Sequence, residues 1–122
     1  MIWTLAQVAL GGAIGASLRF LAVTAAARAF TGSFPIGTLA VNVAGSLAMG
    51  ALFVLLTTRT HLHPLLLTGI LGGFTTFSAF SLDAVRLWET GQPNQAAFYV
   101  VASVILSLAA LLIGAAIARS IT

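Results

Sequence analysis

Apolar residues run along this chain in four long stretches separated by short polar or proline-bearing segments. A bilayer-spanning helix needs about 20 predominantly apolar residues, and the stretches at roughly 2–27, 35–57, 64–86 and 96–118 each reach that length. The breaks are chemically legible. Phe30-Thr31-Gly32-Ser33-Phe34 precedes Pro35, and the segment from Thr57 to His63 precedes Pro64, so each proline is expected at a first helical position. Glu89-Thr90-Gly91-Gln92-Pro93-Asn94 forms the third connection. The pattern predicts an all-α integral membrane fold, with four transmembrane helices in a single domain spanning residues 1–122.

Composition agrees with that reading. Of 122 residues 60% are hydrophobic and only 6% are charged, whereas a soluble domain devotes about a quarter to charge. The first residues carry no basic segment ahead of the apolar run, which predicts a retained span and not a cleaved signal peptide. Cysteine is absent, which removes disulfides, thiol nucleophiles and cysteine metal sites. The net charge of +3 comes from five arginines set against Asp83 and Glu89, too sparse and scattered for nucleic acid.

Four spans would put both termini, with Arg59 and Arg119, on one side of the membrane and Arg28 with Arg86 on the other. Orientation follows the Lys/Arg imbalance between the two sides, and two against two is none. The chain is therefore expected to insert either way up. Gly11 and Gly15, Ala44 and Ala48, and Gly69 and Gly73 are small-residue pairs that permit close helix approach. They fit contacts within one chain or between the subunits of an antiparallel homodimer.

Polar groups in hydrocarbon are costly without partners, so their placement is informative. Thr38, Asn42 and Ser46 recur at steps of four and share one face of the second span. Tyr99, Ser103 and Ser107 repeat the device in the fourth. Hydroxyls and an amide without a carboxylate could line a path for an anion, since cation pathways favour acidic or carbonyl rings. Alternatively, the hydroxyls bond back to their own helices and Tyr99 occupies an interfacial aromatic belt.

In the third span, paired glycines and β-branched threonines make a poor helix interior over Gly72-Gly73-Phe74-Thr75-Thr76. A break is expected there, lining a cavity, with freed carbonyls able to hold a cation. Phe77 and Phe80 would then project on similar sides, offering electropositive ring edges. Arg19 lies about 25 Å into the first span at about 1.5 Å per residue. It is either a source of positive potential in a vestibule or a snorkelling anchor. His61 and His63, with no other ligand type nearby in sequence, read as solvated loop residues and not as a metal site.

Three motifs, taken in order, resemble the Fluc (CrcB) family of fluoride channels along essentially the whole chain. They are Gly11-Gly12-Ala13-Ile14-Gly15-Ala16-Ser17-Leu18-Arg19, Gly37-Thr38-Leu39-Ala40-Val41-Asn42-Val43-Ala44-Gly45-Ser46 and Gly72-Gly73-Phe74-Thr75-Thr76-Phe77-Ser78-Ala79-Phe80. The resemblance implies an antiparallel, dual-topology homodimer in the bacterial inner membrane, with two pores and passive fluoride export. It assigns Phe77 and Phe80 to fluoride-facing ring edges and Asn42, Thr38, Thr76 and Ser78 to the pore. Tyr99, Ser103 and Ser107 match its polar track, and Arg19 its vestibule arginine. It also implies a central sodium ion held by the Gly72 and Thr75 backbone carbonyls of both subunits. Ala79 replaces the family's usual threonine, and Asp83 is a shorter acid than the one that usually follows the motif.

Two other classes compete with this reading. A small proton-coupled multidrug exporter also pairs four-helix subunits, but it needs a membrane-embedded carboxylate, and here Asp83 and Glu89 lie late in the third span or beyond it. A non-transporting subunit would explain the small-residue packing but not the two polar stripes. No nucleophile-base pair or metal constellation points to an enzyme.

Overall fold

The computed structural model describes residues 1–56 and 60–122. Thr57, placed at the end of the second span, and Arg59, counted in the loop-charge balance, lie outside the described residues. Helix α1 is Ile2–Ala29, α2 is Ile36–Leu55, α3 is the single turn Gly72–Phe74, α4 is Ser78–Glu89 and α5 is Pro93–Ser120. A 3-10 turn, Thr60–Leu62, and a π-helical segment, Pro64–Leu71, precede α3. The described residues contain helices and connections but no strand.

Four helical runs among the described residues are long and apolar enough to cross a membrane: Ile2–Ala29, Ile36–Leu55, Pro64–Glu89 and Pro93–Ser120. The chain is thus an all-helical, multi-pass membrane protein. The boundaries differ modestly from expectation because of where the prolines fall. Pro35 caps α2 and is not its first helical residue. Pro93, expected within a connection, instead opens α5, where its missing N–H costs nothing. The turn before it uses Gly91 at φ 81°, a left-handed conformation that suits glycine.

The helices pair closely because glycines remove the side chains that would hold them apart. Gly11 and Gly15 of α1 face the π segment, where an added Cβ would meet the Leu65 and Ile70 carbonyls. Those carbonyls are five residues apart, opposite glycines four apart. The wider π turn, with its smaller rise per residue, brings the two repeats into step. Gly69 and Gly73 complete the seam: a Cβ on Gly69 would lie 2.9 Å from the Gly11 Cα, and one on Gly73 would lie 2.7 Å from the Gly12 carbonyl. Two of the three small-residue pairs therefore serve contacts within the chain.

A second seam joins α2 to α5 through Gly50 against Leu111 and Gly114 against Leu47. Helix α4 closes on α5 through a core of Phe80, Leu87, Ala96 and Tyr99. These seams place the start of α4 over the faces of α2 and α5 that carry the polar stripes.

Candidate functional site

Helix α3 ends at Phe74, and the last helical bond runs from the Thr75 N–H to the Leu71 carbonyl at 3.0 Å. Thr75 is extended, with φ −90° and ψ 158°, and α4 begins at Ser78. Gly72, by contrast, keeps helical dihedrals of φ −62° and ψ −39°. The departure from helix therefore occurs at the threonines, after the glycine pair.

Backbone groups freed in an apolar environment must find partners, and several do so here. Asn42 Nδ2 donates to the Thr76 carbonyl at 2.9 Å, while the Thr76 N–H donates to Asn42 Oδ1 at 2.8 Å. Thr76 Oγ1 accepts from the Ala79 N–H at 3.1 Å and lies 3.3 Å from the Ser78 hydroxyl. Arg19 Nε donates to the Gly73 carbonyl at 3.0 Å. Thr75 Oγ1 bonds back to the Leu71 carbonyl at 2.9 Å.

A cleft of about 520 Å³ opens beside this segment, lined by Asn42 and Ser46 of α2, by Gly72, Thr75 and Thr76, by Phe77 and Phe80, and by Ser103 and Ser107 of α5. The fold thus brings Asn42 and Ser46 of one polar stripe and Ser103 and Ser107 of the other to the segment from Gly72 to Phe80, from which both are distant in sequence. Ser103 Oγ is the one buried side-chain polar atom among the described residues that lacks a hydrogen-bond partner. A buried hydroxyl without a partner carries a desolvation penalty of about 1–3 kcal/mol, which a ligand in the cleft would offset.

The two phenylalanines meet edge-on, with centroids 5.3 Å apart at 66°, but their surroundings differ. Phe80 is 8% exposed within the core, whereas Phe77 is 76% exposed on the single subunit. Tyr99 is fully buried, so it is no aromatic-belt anchor. Its hydroxyl donates to Asp83 Oδ2 at 3.2 Å, with the Thr38 hydroxyl beside it. Thr38 and Asp83 line a second cavity of about 270 Å³ beneath the α1–α2 loop.

Some candidate residues lie outside the main cleft. Thr38 lines the second cavity, Tyr99 is bonded to Asp83 of that cavity, and Ser78 is exposed at the start of α4. Arg19 reaches the interrupted segment from α1, ten residues before that helix ends. His63 Nε2 lies 2.9 Å from the Leu56 carbonyl, and the His61 carbonyl accepts a hydrogen bond from Gln7. Both histidines thus fasten the second connection, and no cluster of metal-ligating side chains occurs among the described residues. Sequence reasoning passed over Phe34, which packs on Tyr99 from the α1–α2 loop; a lone aromatic in a loop carries no periodic signal.

The profile of the family described as "CrcB-like protein, Camphor Resistance (CrcB)" matches residues 6–115. A relative from Cereibacter sphaeroides (strain ATCC 17029 / ATH 2.4.9), the fluoride-specific ion channel FluC, is 57% identical over 120 residues, covering 98% of this chain and 97% of its own length. The protein of the same name from Paracoccus denitrificans is 54% identical over 120 residues, covering 97% and 96%. That of Agrobacterium fabrum is 46% identical over 121 residues, covering 96% and 97%.

Proposed function

The chain belongs to the CrcB-like family, which has no enzymatic activity, and on that premise we propose that it is a fluoride-selective channel giving passive export of cytoplasmic fluoride. One observation carries the reading: the cleft combines hydroxyls and an amide with two phenylalanine rings, and its Ser103 hydroxyl is buried without a partner. Fluoride is small and strongly hydrated, so a selective path must replace its water with many weak donors. Ser, Thr and Asn groups and electropositive ring edges are such donors, and none binds tightly enough to prevent release. In this mechanism Ser103, Ser107, Tyr99 and Thr38 hand the ion along the polar track, with Phe77 and Phe80 opposite. Thr76 and Ser78 shape the start of α4. Asn42 holds Thr76 and keeps its second amide hydrogen for the ion.

The functional unit in this proposal is an antiparallel homodimer in a bacterial inner membrane, with two pores. Phe77 supports it, because a large aromatic ring 76% exposed at the cleft's edge suits a pore completed by a second subunit. The exposed arginines Arg28, Arg86 and Arg119 give no strong orientational bias. Arg19 supplies positive potential near the path.

A sodium ion held by the Gly72 and Thr75 carbonyls fits the residues present. The N–H groups that would pair with those carbonyls in a continuous helix belong to Thr76 and Ala79, and they donate instead to Asn42 Oδ1 and Thr76 Oγ1. Both carbonyls are thereby released from helical bonding beside the cleft, and uncharged oxygens suit a hard monovalent cation. When bound, such an ion would hold the interrupted segments of two subunits together.

The test is efflux from liposomes containing purified protein. Fluoride should leave and chloride should stay, and Phe77→Ile and Phe80→Ile should each slow the fluoride flux. Equal leakage of both anions, or indifference to both substitutions, would overturn the mechanism. A single cysteine introduced at the C-terminus should be labelled from both sides of the membrane; labelling from one side alone removes dual topology.

A further inference from the structure

Five aromatic rings make successive contacts from the cleft towards the loop end of the subunit. Phe77 meets Phe80 at 5.3 Å, Phe80 meets Tyr99 at 5.3 Å, Tyr99 meets Phe34 at 5.5 Å, and Phe34 meets Phe98 at 5.8 Å. Phe34 is the one supplied by the α1–α2 loop, and it also lines the second cavity with Thr38 and Asp83.

The loop is pinned on both sides of that ring. Ser33 Oγ donates to Gln92 Oε1 at 2.8 Å, fastening it to the turn before α5. The Gln92 N–H is in turn held by the Leu87 carbonyl at 2.9 Å. On the other side Pro35 restricts the backbone, and the Phe34 carbonyl accepts the Ile36 N–H at 2.9 Å.

What the fastening secures is Tyr99. Its bond to Asp83 is 3.2 Å, longer than the 2.5–3.0 Å usual for O–H···O, so that bond alone orients the phenol weakly. The Thr38 hydroxyl beside it and the packed rings add to that restraint. Phe34 meets Tyr99 at 86°, the edge-to-face arrangement aromatic pairs prefer.

We propose that Phe34, held by the Ser33–Gln92 clamp, is a positioning residue for Tyr99 that keeps its hydroxyl between Thr38 and Asp83. This rests on the fluoride-channel reading above. Loosening the clamp lets the phenol turn away and slows conduction.

The experiment measures initial fluoride efflux from liposomes for wild type, Phe34→Ile, Ser33→Ala, Tyr99→Phe and the double variant Phe34→Ile/Tyr99→Phe. Phe34→Ile is expected to slow efflux by a few-fold to about tenfold, the factor equivalent to one lost edge contact. Ser33→Ala, at an exposed loop position, should slow it in the same direction. The double variant should be no slower than Tyr99→Phe alone, because no hydroxyl remains to be positioned; a merely structural role would make the two effects multiply. Efflux equal to wild type in both Phe34→Ile and Ser33→Ala, or multiplying effects in the double variant, would overturn the proposal. If Phe34→Ile does not assemble, Ser33→Ala decides. A wild type that passes no fluoride overturns the channel reading along with this one, whereas a conducting wild type with indifferent variants overturns this one alone.

Discussion

Asn42 and Thr76 are joined by two reciprocal hydrogen bonds, 2.9 Å from the side-chain amide to the carbonyl and 2.8 Å from the N–H to the side-chain oxygen. The side chain thereby stands in for the helical partners that Thr76 lacks. Asn42→Ala should leave both backbone groups unpaired at a cost of about 1–3 kcal/mol each. The expected outcome is a lower melting temperature in detergent together with slower fluoride efflux. Asn42→Asp should behave similarly, because it sets an acceptor against the Thr76 carbonyl. An unchanged melting temperature in both would show that Thr76 has other partners.

Gly15 faces backbone, with the Phe74 N 2.8 Å from where its Cβ would stand, whereas nothing lies within 4 Å of a Cβ on Gly12. Overpacking against backbone costs about 1–3 kcal/mol or more. Gly15→Ala should therefore lower the melting temperature or abolish folded protein on size exclusion, while Gly12→Ala should match wild type. Equal stability of the two variants would contradict the seam between α1 and the π segment.

Phe77→Ile and Phe80→Ile should separate in stability although both slow fluoride. Phe80 is buried against Leu87 and Tyr99, so its truncation should cost about 1–3 kcal/mol through imperfect repacking. Phe77 is largely exposed on the subunit, and its replacement should leave subunit stability near wild type. Chemical unfolding followed by tryptophan fluorescence measures the difference; parity would place the two rings in similar surroundings.

Arg19→Lys and Arg19→Met distinguish two uses of a cation. If the guanidinium matters through its bond to the Gly73 carbonyl, lysine will not replace it, since its compact ammonium lacks the fixed fork of donors. Both variants are expected to slow fluoride efflux, Arg19→Met further because it also removes the positive charge. Full activity in Arg19→Lys alone would assign the residue a purely electrostatic role.

The four spans were legible because membrane insertion is read locally: about 20 apolar residues suffice wherever they occur. The stripes at Thr38, Asn42 and Ser46 and at Tyr99, Ser103 and Ser107 were legible for a similar reason, since helical periodicity alone puts such residues on one face. What each polar group does was not. Asn42 reads as a free donor in sequence, yet it is bonded across 34 residues to Thr76. Arg19 reads as a vestibule charge or a snorkelling anchor, yet it reaches a carbonyl 54 residues away. Within Gly72 to Thr76, read as a poor helix interior, Gly72 keeps helical dihedrals, Gly73 packs against α1 and Thr75 is extended.

The sequence by itself determined the all-helical membrane class, the positions of the spans and the two polar stripes. Only the tertiary structure decided which donors are consumed and which remain open, because hydrogen bonds between spans depend on helix packing that local periodicity does not encode. Ser103 illustrates the division: the four-residue step placed it on the polar stripe, and the closure of α2, α4 and α5 left its hydroxyl buried beside the cleft without a partner.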